Sequence, residues 1–178
     1  MTKNELRKAM RALNRGVDAR QRAAVSLRIV ARVEELPDFA RARTVGLYCA
    51  LPDEPDLSDA LVRWSGEKRL VVPRVEGETM RLFDYDPQTL VTGAFGILEP
   101  GPAARLCAPG EIDLLLVPGV AFTREGARCG RGKGYYDRYL AQPEFRGAKF
   151  GVCYAHQLID ALPAEPHDVR MDGVIFAE

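Results

Sequence analysis

Ile112-Asp113-Leu114-Leu115-Leu116-Val117-Pro118-Gly119-Val120-Ala121-Phe122 is the stretch on which the fold turns. From Asp113 to Val117 the run is apolar without alternation, and turn formers close it. That pattern fits a central strand covered on both faces, as in a parallel sheet between helical layers. Working outward, strands are expected at Thr44–Ala50, Leu70–Val75, Lys149–Tyr154 and Gly173–Phe176. Met80–Tyr85 reads as a short antiparallel strand near an edge. Helices are expected from about Asp18 to Glu35, stopping before Pro37, and at Leu57–Ser65 and Tyr135–Ala141. Val91 to Gly110 is rich in Gly and Pro and reads as loop. Strands separated by helices make this an α/β chain, with a three-layer, mostly parallel sheet and helices on both faces. With no internal repeat or linker, residues 1–178 read as one domain that includes a helical N-terminal arm, residues 1–36.

The chemistry concentrates just downstream, in Arg128-Cys129-Gly130-Arg131-Gly132-Lys133-Gly134-Tyr135-Tyr136-Asp137-Arg138-Tyr139-Leu140. Alternating glycines let backbone N–H groups approach an anion closely, since no Cβ intervenes and positive φ is permitted. Arg131 and Lys133 add charge, and a helix opening near Tyr135 would point its positive end at the same spot. Asp137, one helical turn past Lys133, is placed to hold a metal ion against a polyphosphate. The loop is not a Walker A motif, because Gly134 stands where a magnesium-binding Ser or Thr is needed. Nor is it a dinucleotide fingerprint, because Tyr135 replaces the third glycine. The competing reading is a glycine-rich turn whose cations are merely solvated.

Composition narrows the class. The 178 residues carry 25 basic and 25 acidic side chains, for zero net charge, and 47% are hydrophobic. No global field favours nucleic acid or a membrane surface, and no apolar run approaches the about 20 residues of a membrane span. The N-terminus lacks a signal-peptide core, which points to the cytoplasm. Cys49, Cys107, Cys129 and Cys153 form no C-x-x-C pair and read as reduced thiols. Locally, Met1 to Arg22 holds seven cations against two anions. Leu6, Met10, Leu13 and Val17 are expected to form a buried helical stripe, with Lys3, Arg7, Arg11 and Arg15 on a neighbouring face. Arg11 and Arg15 read as solvated; Lys3, beside the stripe, can be aimed at a nucleotide. His156 reads as structural, and no Ser-His-Asp or H-E-x-x-H arrangement exists.

Together, Ile112–Phe122 and Arg128–Leu140 resemble the signature of the 5-formyltetrahydrofolate cyclo-ligase family. Lys3-Asn4-Glu5-Leu6-Arg7, Tyr48 to Glu54, Gly93-Ala94-Phe95-Gly96-Ile97-Leu98-Glu99-Pro100 and His167-Asp168 match further family elements, in the family's order. The resemblance implies a fold similar to sugar-phosphate isomerases and CoA transferases. It also implies ATP-driven closure of 5-formyltetrahydrofolate to 5,10-methenyltetrahydrofolate with magnesium, by a monomer. On that basis ATP falls to Lys3, Asn4, Glu5, Leu6 and Arg7 and to Arg128, Cys129, Gly130, Arg131, Gly132, Lys133, Gly134, Tyr135 and Tyr136. Arg131 and Lys133 take the catalytic role. The folate falls to Cys49, Glu54, Phe122 and Arg131 to Tyr135, and the metal to Asp137 and Asp168. Strand ends carrying Glu54, Arg74, Pro118–Phe122, His156 and Gln157 can converge on one rim. Plainer readings stay open: Phe122 as core, Tyr135 and Tyr136 as a helix start, Glu54 as an exposed turn. An RNA-binding module on the same scaffold, or a kinase with another acceptor, are the rival classes.

Overall fold

A computed structural model describes all 178 residues. Five helices are present: α1 Lys3–Arg15, α2 Ala19–Glu34, α3 Pro37–Arg41, α4 Ser58–Trp64 and α5 Tyr135–Leu140. The strands are β1 Thr44–Gly46, β2 Arg69–Glu76, β3 Thr79–Asp84, β4 Val91–Thr92, β5 Leu98–Glu99, β6 Leu106–Cys107, β7 Leu114–Pro118, β8 Ala121–Phe122, β9 Arg128–Cys129, β10 Ala148–Tyr154 and β11 Gly173–Ala177. Seven of them form the main sheet in the order β11-β10-β7-β1-β2-β3-β6. Pairing is parallel from β11 to β2, and β3 and β6 add an antiparallel margin.

The Leu114–Val117 run sits inside this sheet with all four residues 0% exposed. Because side chains alternate along a strand, Leu114 and Leu116 join the core under α2, α3 and α4. Leu115 and Val117 join a second core with Phe122, Tyr139 and Leu140 on the opposite face. The unbroken apolar run is therefore explained by two cores sharing one strand.

Helix α1 begins at Lys3 because Thr2 and Glu5 form a capping box; a second box, Asp18 with Gln21, starts α2. Such caps are worth about 1 kcal/mol each. Leu6 and Met10 fasten α1 to Val120, Ala121 and Cys129. The expected stripe fails at Leu13, which is 54% exposed. Its place is taken by buried Asn14, whose Oδ1 lies 2.6 Å from His156 Nε2. His156 also stacks on Tyr154 at 5.4 Å between centroids.

Three further differences have local causes. Strand β1 is shorter than Thr44–Ala50: after Leu47 N–H donates to the Val71 carbonyl, the chain leaves the ladder toward the turn at Pro52. Helix α3 was not anticipated, although Pro37 at its first position suits helix entry. The hairpin of β8 and β9 was also missed; it pairs Ala121 with Cys129 and Phe122 with Arg128.

Candidate active site

A cavity of about 680 Å³ opens at the carboxyl ends of β1, β2 and β7, where open α/β sheets gather ligands. One wall is the cationic face of α1 with the loop from Gly130 to Gly134. Tyr48, Cys49, Glu54, Pro73, Val75, Met80, Phe95, Ile97 and Glu99 line the rest of the cavity. The loop needs its glycines in two places: Gly132 (φ 109°) and Gly134 (φ 73°) are left-handed, a region costly for other residues. Gly132 also lies under Arg7, whose Cζ would stand 3.5 Å from an added Cβ. Helix α5 is only six residues long, so anion attraction rests mainly on the cations and loop amides rather than on a long dipole.

Most cations are held in place. Lys3 Nζ donates to Asp168 at 2.9 and 3.1 Å, and Arg7 Nε donates to the Gly130 carbonyl at 2.8 Å while its other arm reaches Asn4. Arg128, 7% exposed, donates to the Pro118 carbonyl at 2.8 Å and lies over the Tyr136 ring at 5.2 Å. Burial pulls its guanidinium below the usual arginine range, partly offset by Asp137. Arg131 donates to Asp53 at 2.7 and 3.4 Å and lies 3.4 Å from Glu54. Lys133 is exposed and stands free of ion pairs at the cavity mouth.

Glu54 is not an exposed turn residue. It is 6% exposed, and its carboxylate accepts from Leu51 N–H at 2.8 Å. Burial raises its carboxyl above the usual range, against the opposing pull of Arg131. Cys49 is half-buried, and burial pushes its thiol up to about 11, which makes it a poor nucleophile. Tyr135 donates to the Gly77 carbonyl at 3.1 Å and reaches the cavity beside Tyr136.

Several anticipated site residues lie elsewhere. Phe122 is 0% exposed and fills the core space left by Gly119 and Gly151, where any added Cβ would meet its ring. Its contribution is to packing, away from the cavity wall. Leu6 and Cys129 are anchors of α1, and Glu5 is occupied by the Thr2 cap. Gln157, behind the rim, donates to the Gly119 and Val120 carbonyls. Arg74 lies over Phe83. Conversely Asp53, next to Glu54 and without a signal of its own in the sequence, is the closest partner of Arg131. Glu165 and His167, beside Asp168, also line the cavity.

Asp137 Oδ1 accepts from the Val169 N–H at 3.2 Å, which brings its carboxylate next to residue 168. Ligand atoms of Glu165, His167 and Asp168 lie within 4.8 Å of one another. Two of these three donors are carboxylates and the third is an imidazole, and Asp137 is not among them. Burial alone would raise the Asp168 carboxyl, but hydrogen bonds from Lys3 and the Glu165 N–H bring it below its ordinary value of 3.8. A depressed carboxyl contributes stability above its unfolded pKa and loses it as pH falls through the folded value. Wild-type stability should therefore decline below about pH 4 with a component absent from Asp168→Asn. Urea midpoints measured across that range check this; superimposable profiles would mean the Lys3 pair contributes nothing.

Comparison with known proteins matches this geometry. The family model described as the 5-formyltetrahydrofolate cyclo-ligase family matches residues 1–177. A 5-formyltetrahydrofolate cyclo-ligase of Mycolicibacterium smegmatis is 38% identical over 141 residues, covering 75% of this chain and 73% of the relative. One of Escherichia coli is 27% identical over 93% of this chain and 95% of its own. The NMR structure of Aquifex aeolicus 5,10-methenyltetrahydrofolate synthetase is 37% identical, with a TM-score of 0.89, covering 99% of this chain and 90% of that one. The 5,10-methenyltetrahydrofolate synthetase structure from Mycoplasma pneumoniae is 28% identical, with a TM-score of 0.80 and 98% coverage of both chains. With both a full-length family match and the shared fold in hand, the chain belongs to the 5-formyltetrahydrofolate cyclo-ligase family and is an enzyme of the ligase type.

Proposed function

We propose that this enzyme converts 5-formyltetrahydrofolate to 5,10-methenyltetrahydrofolate while ATP is split to ADP and phosphate. The observation that carries this reading is one cavity lined both by a cationic, glycine-rich set of residues and by apolar residues with a buried carboxylate. A triphosphate suits the first set. A flat pterin with hydrogen-bonding edges suits the second, against Tyr48, Met80, Phe95 and Glu54. Of the residues anticipated for the nucleotide, Lys3, Asn4, Arg7, Arg128 and the stretch from Gly130 to Tyr136 line the cavity.

The chemistry follows from a leaving-group problem. A formyl oxygen departs poorly, so attack by the folate's N10 stalls. Transfer of the γ-phosphoryl group breaks its bond to ADP and forms a P–O bond to the formyl oxygen. The N10 lone pair then attacks the formyl carbon, the C–O bond breaks with phosphate leaving, and N10 releases its proton. Such transfer needs positioning and charge neutralisation more than a covalent nucleophile. Lys133 and Arg131 supply cations at the transferring group, with Asp53 and Glu54 fixing the Arg131 guanidinium. Asp137 and Asp168 would hold magnesium, which when bound neutralises charge on the phosphate oxygens. The raised Cys49 thiol fits the lack of an enzyme nucleophile.

With substrate labelled by oxygen-18 in the formyl group, one label per turnover should appear in inorganic phosphate. Label released to water would sink phosphorylation of that oxygen.

Glu54→Gln keeps the shape and removes the charge, which can orient a pterin N–H. Folate binding should weaken by about 10-fold or more, the scale of one charge-assisted hydrogen bond. Nucleotide affinity should change little, because Asp53 still holds Arg131. Calorimetry with each ligand checks this; the reverse pattern would move Glu54 to the nucleotide half.

We further read residues 1–178 as one cyclo-ligase domain, supported by the packing of α1 on Val120, Ala121 and Cys129. The helix–sheet–helix layering supports kinship with the sugar-phosphate isomerase and CoA transferase type. A cytoplasmic setting is supported by four unpaired cysteines; no helix is long and apolar enough to cross a membrane.

A further inference from the structure

Six cations border the cavity: Lys3, Arg7, Arg11, Arg128, Arg131 and Lys133. Four have partners, described above, and Lys133 is bathed by solvent. Arg11 forms no side-chain hydrogen bond or ion pair, whereas Arg131, whose Nε is likewise shielded and unpartnered, still bonds Asp53 through its terminal nitrogens. Arg11 is half-buried, and its Nε is shielded from solvent with no hydrogen-bond partner. A shielded N–H left without an acceptor is costly, and more so on a charged group. The terminal nitrogens of Arg11 are not among the shielded atoms, and at the cavity wall they are open to an acceptor supplied by a ligand.

The helix identifies the ligand's chemistry. Lys3, Arg7 and Arg11 recur every four residues and so share one face of α1, each about 6 Å along the axis from the last at 1.5 Å per residue. Arg7, the middle one, bonds the Gly130 carbonyl and overhangs Gly132. The face therefore runs along the glycine-rich loop, with Arg11 one step beyond it. Arg15, the next in the series, is exposed and does not border the cavity. Glu54, which also lines the cavity, is engaged by Arg131, and Arg11 pairs with no carboxylate of the chain, which leaves it available for an oxygen brought in from outside.

We propose that Arg11 binds a phosphate oxygen of the nucleotide's polyphosphate chain, extending the cationic wall by one helical step beyond Lys3 and Arg7. This rests on the ATP-dependent reading above. The test is calorimetry of Mg-ATP and, separately, 5-formyltetrahydrofolate with wild type, Arg11→Gln, Arg11→Lys and Arg15→Gln, alongside the melting temperature of each unliganded protein. Arg11→Gln should weaken Mg-ATP by about 10-fold or more, the scale of one charge-assisted hydrogen bond, with Arg11→Lys recovering part of the loss. Arg15→Gln should bind as wild type does, and folate affinity should stay constant throughout. The melting temperature of Arg11→Gln should not fall, since the substitution removes a half-buried charge with no internal partner. Unchanged Mg-ATP affinity in Arg11→Gln, a loss confined to folate, or a drop in unliganded melting temperature would each overturn the proposal. Wild type failing to bind Mg-ATP at all would instead overturn the nucleotide reading on which it rests.

Discussion

Lys133→Ala is expected to lower turnover by about 10²- to 10³-fold while leaving the fold intact, the scale of removing one preorganised electrostatic group. The residue lies between Gly132 and Gly134, both left-handed, so the loop conformation does not depend on its side chain. It is exposed and forms no ion pair that folding would lose. Arg131, by contrast, is already committed to Asp53 and Glu54. Lys133 is thus the loop cation free to follow charge onto the transferring phosphoryl group. Single-turnover and steady-state rates, read beside a denaturation curve, check this. Activity within about threefold of wild type would remove Lys133 from the transfer step.

Phe122→Ala should cost about 3–5 kcal/mol of stability, the usual range for a large aromatic removed from a packed core. The ring sits where Gly119 and Gly151 have no Cβ, so neither neighbour has a side chain with which to fill the void. The same backbone also holds the site: Phe122 pairs with Arg128 across the β8–β9 hairpin, and its carbonyl accepts from the Ile159 N–H. Activity should therefore fall with the folded fraction, and folate affinity of the folded protein should hold. Urea denaturation and folate titration separate the two. Wild-type stability with selectively weakened folate binding would return Phe122 to the substrate wall.

How legible these features are in the sequence depends on what each signal encodes. The Leu114–Val117 run announces burial on both faces, because no alternating pattern survives when two cores share a strand. The glycine-rich loop is legible because alternating glycines and cations have few other physical uses. Phe122 is not, because an apolar residue after a turn reads the same in a core as in a ligand wall. Leu13 was misplaced for a related reason: Asn14 takes the buried position by bonding His156, a partner 142 residues away that no local pattern reveals. Asp53 takes no role and Arg11 reads as solvated in the sequence because charge in a loop or on a helix face looks solvated until its neighbours are known. What distinguishes them is tertiary: an Arg131 partner for one and a shielded, unpartnered Nε for the other.

Mixing the protein with 5-formyltetrahydrofolate and Mg-ATP, and following the methenyl chromophore together with ADP, tests the central claim most directly. Equal amounts of methenyl product and ADP should appear, with neither forming when either substrate is withheld. ADP released without methenyl product, or ring closure that proceeds without ATP, would contradict it.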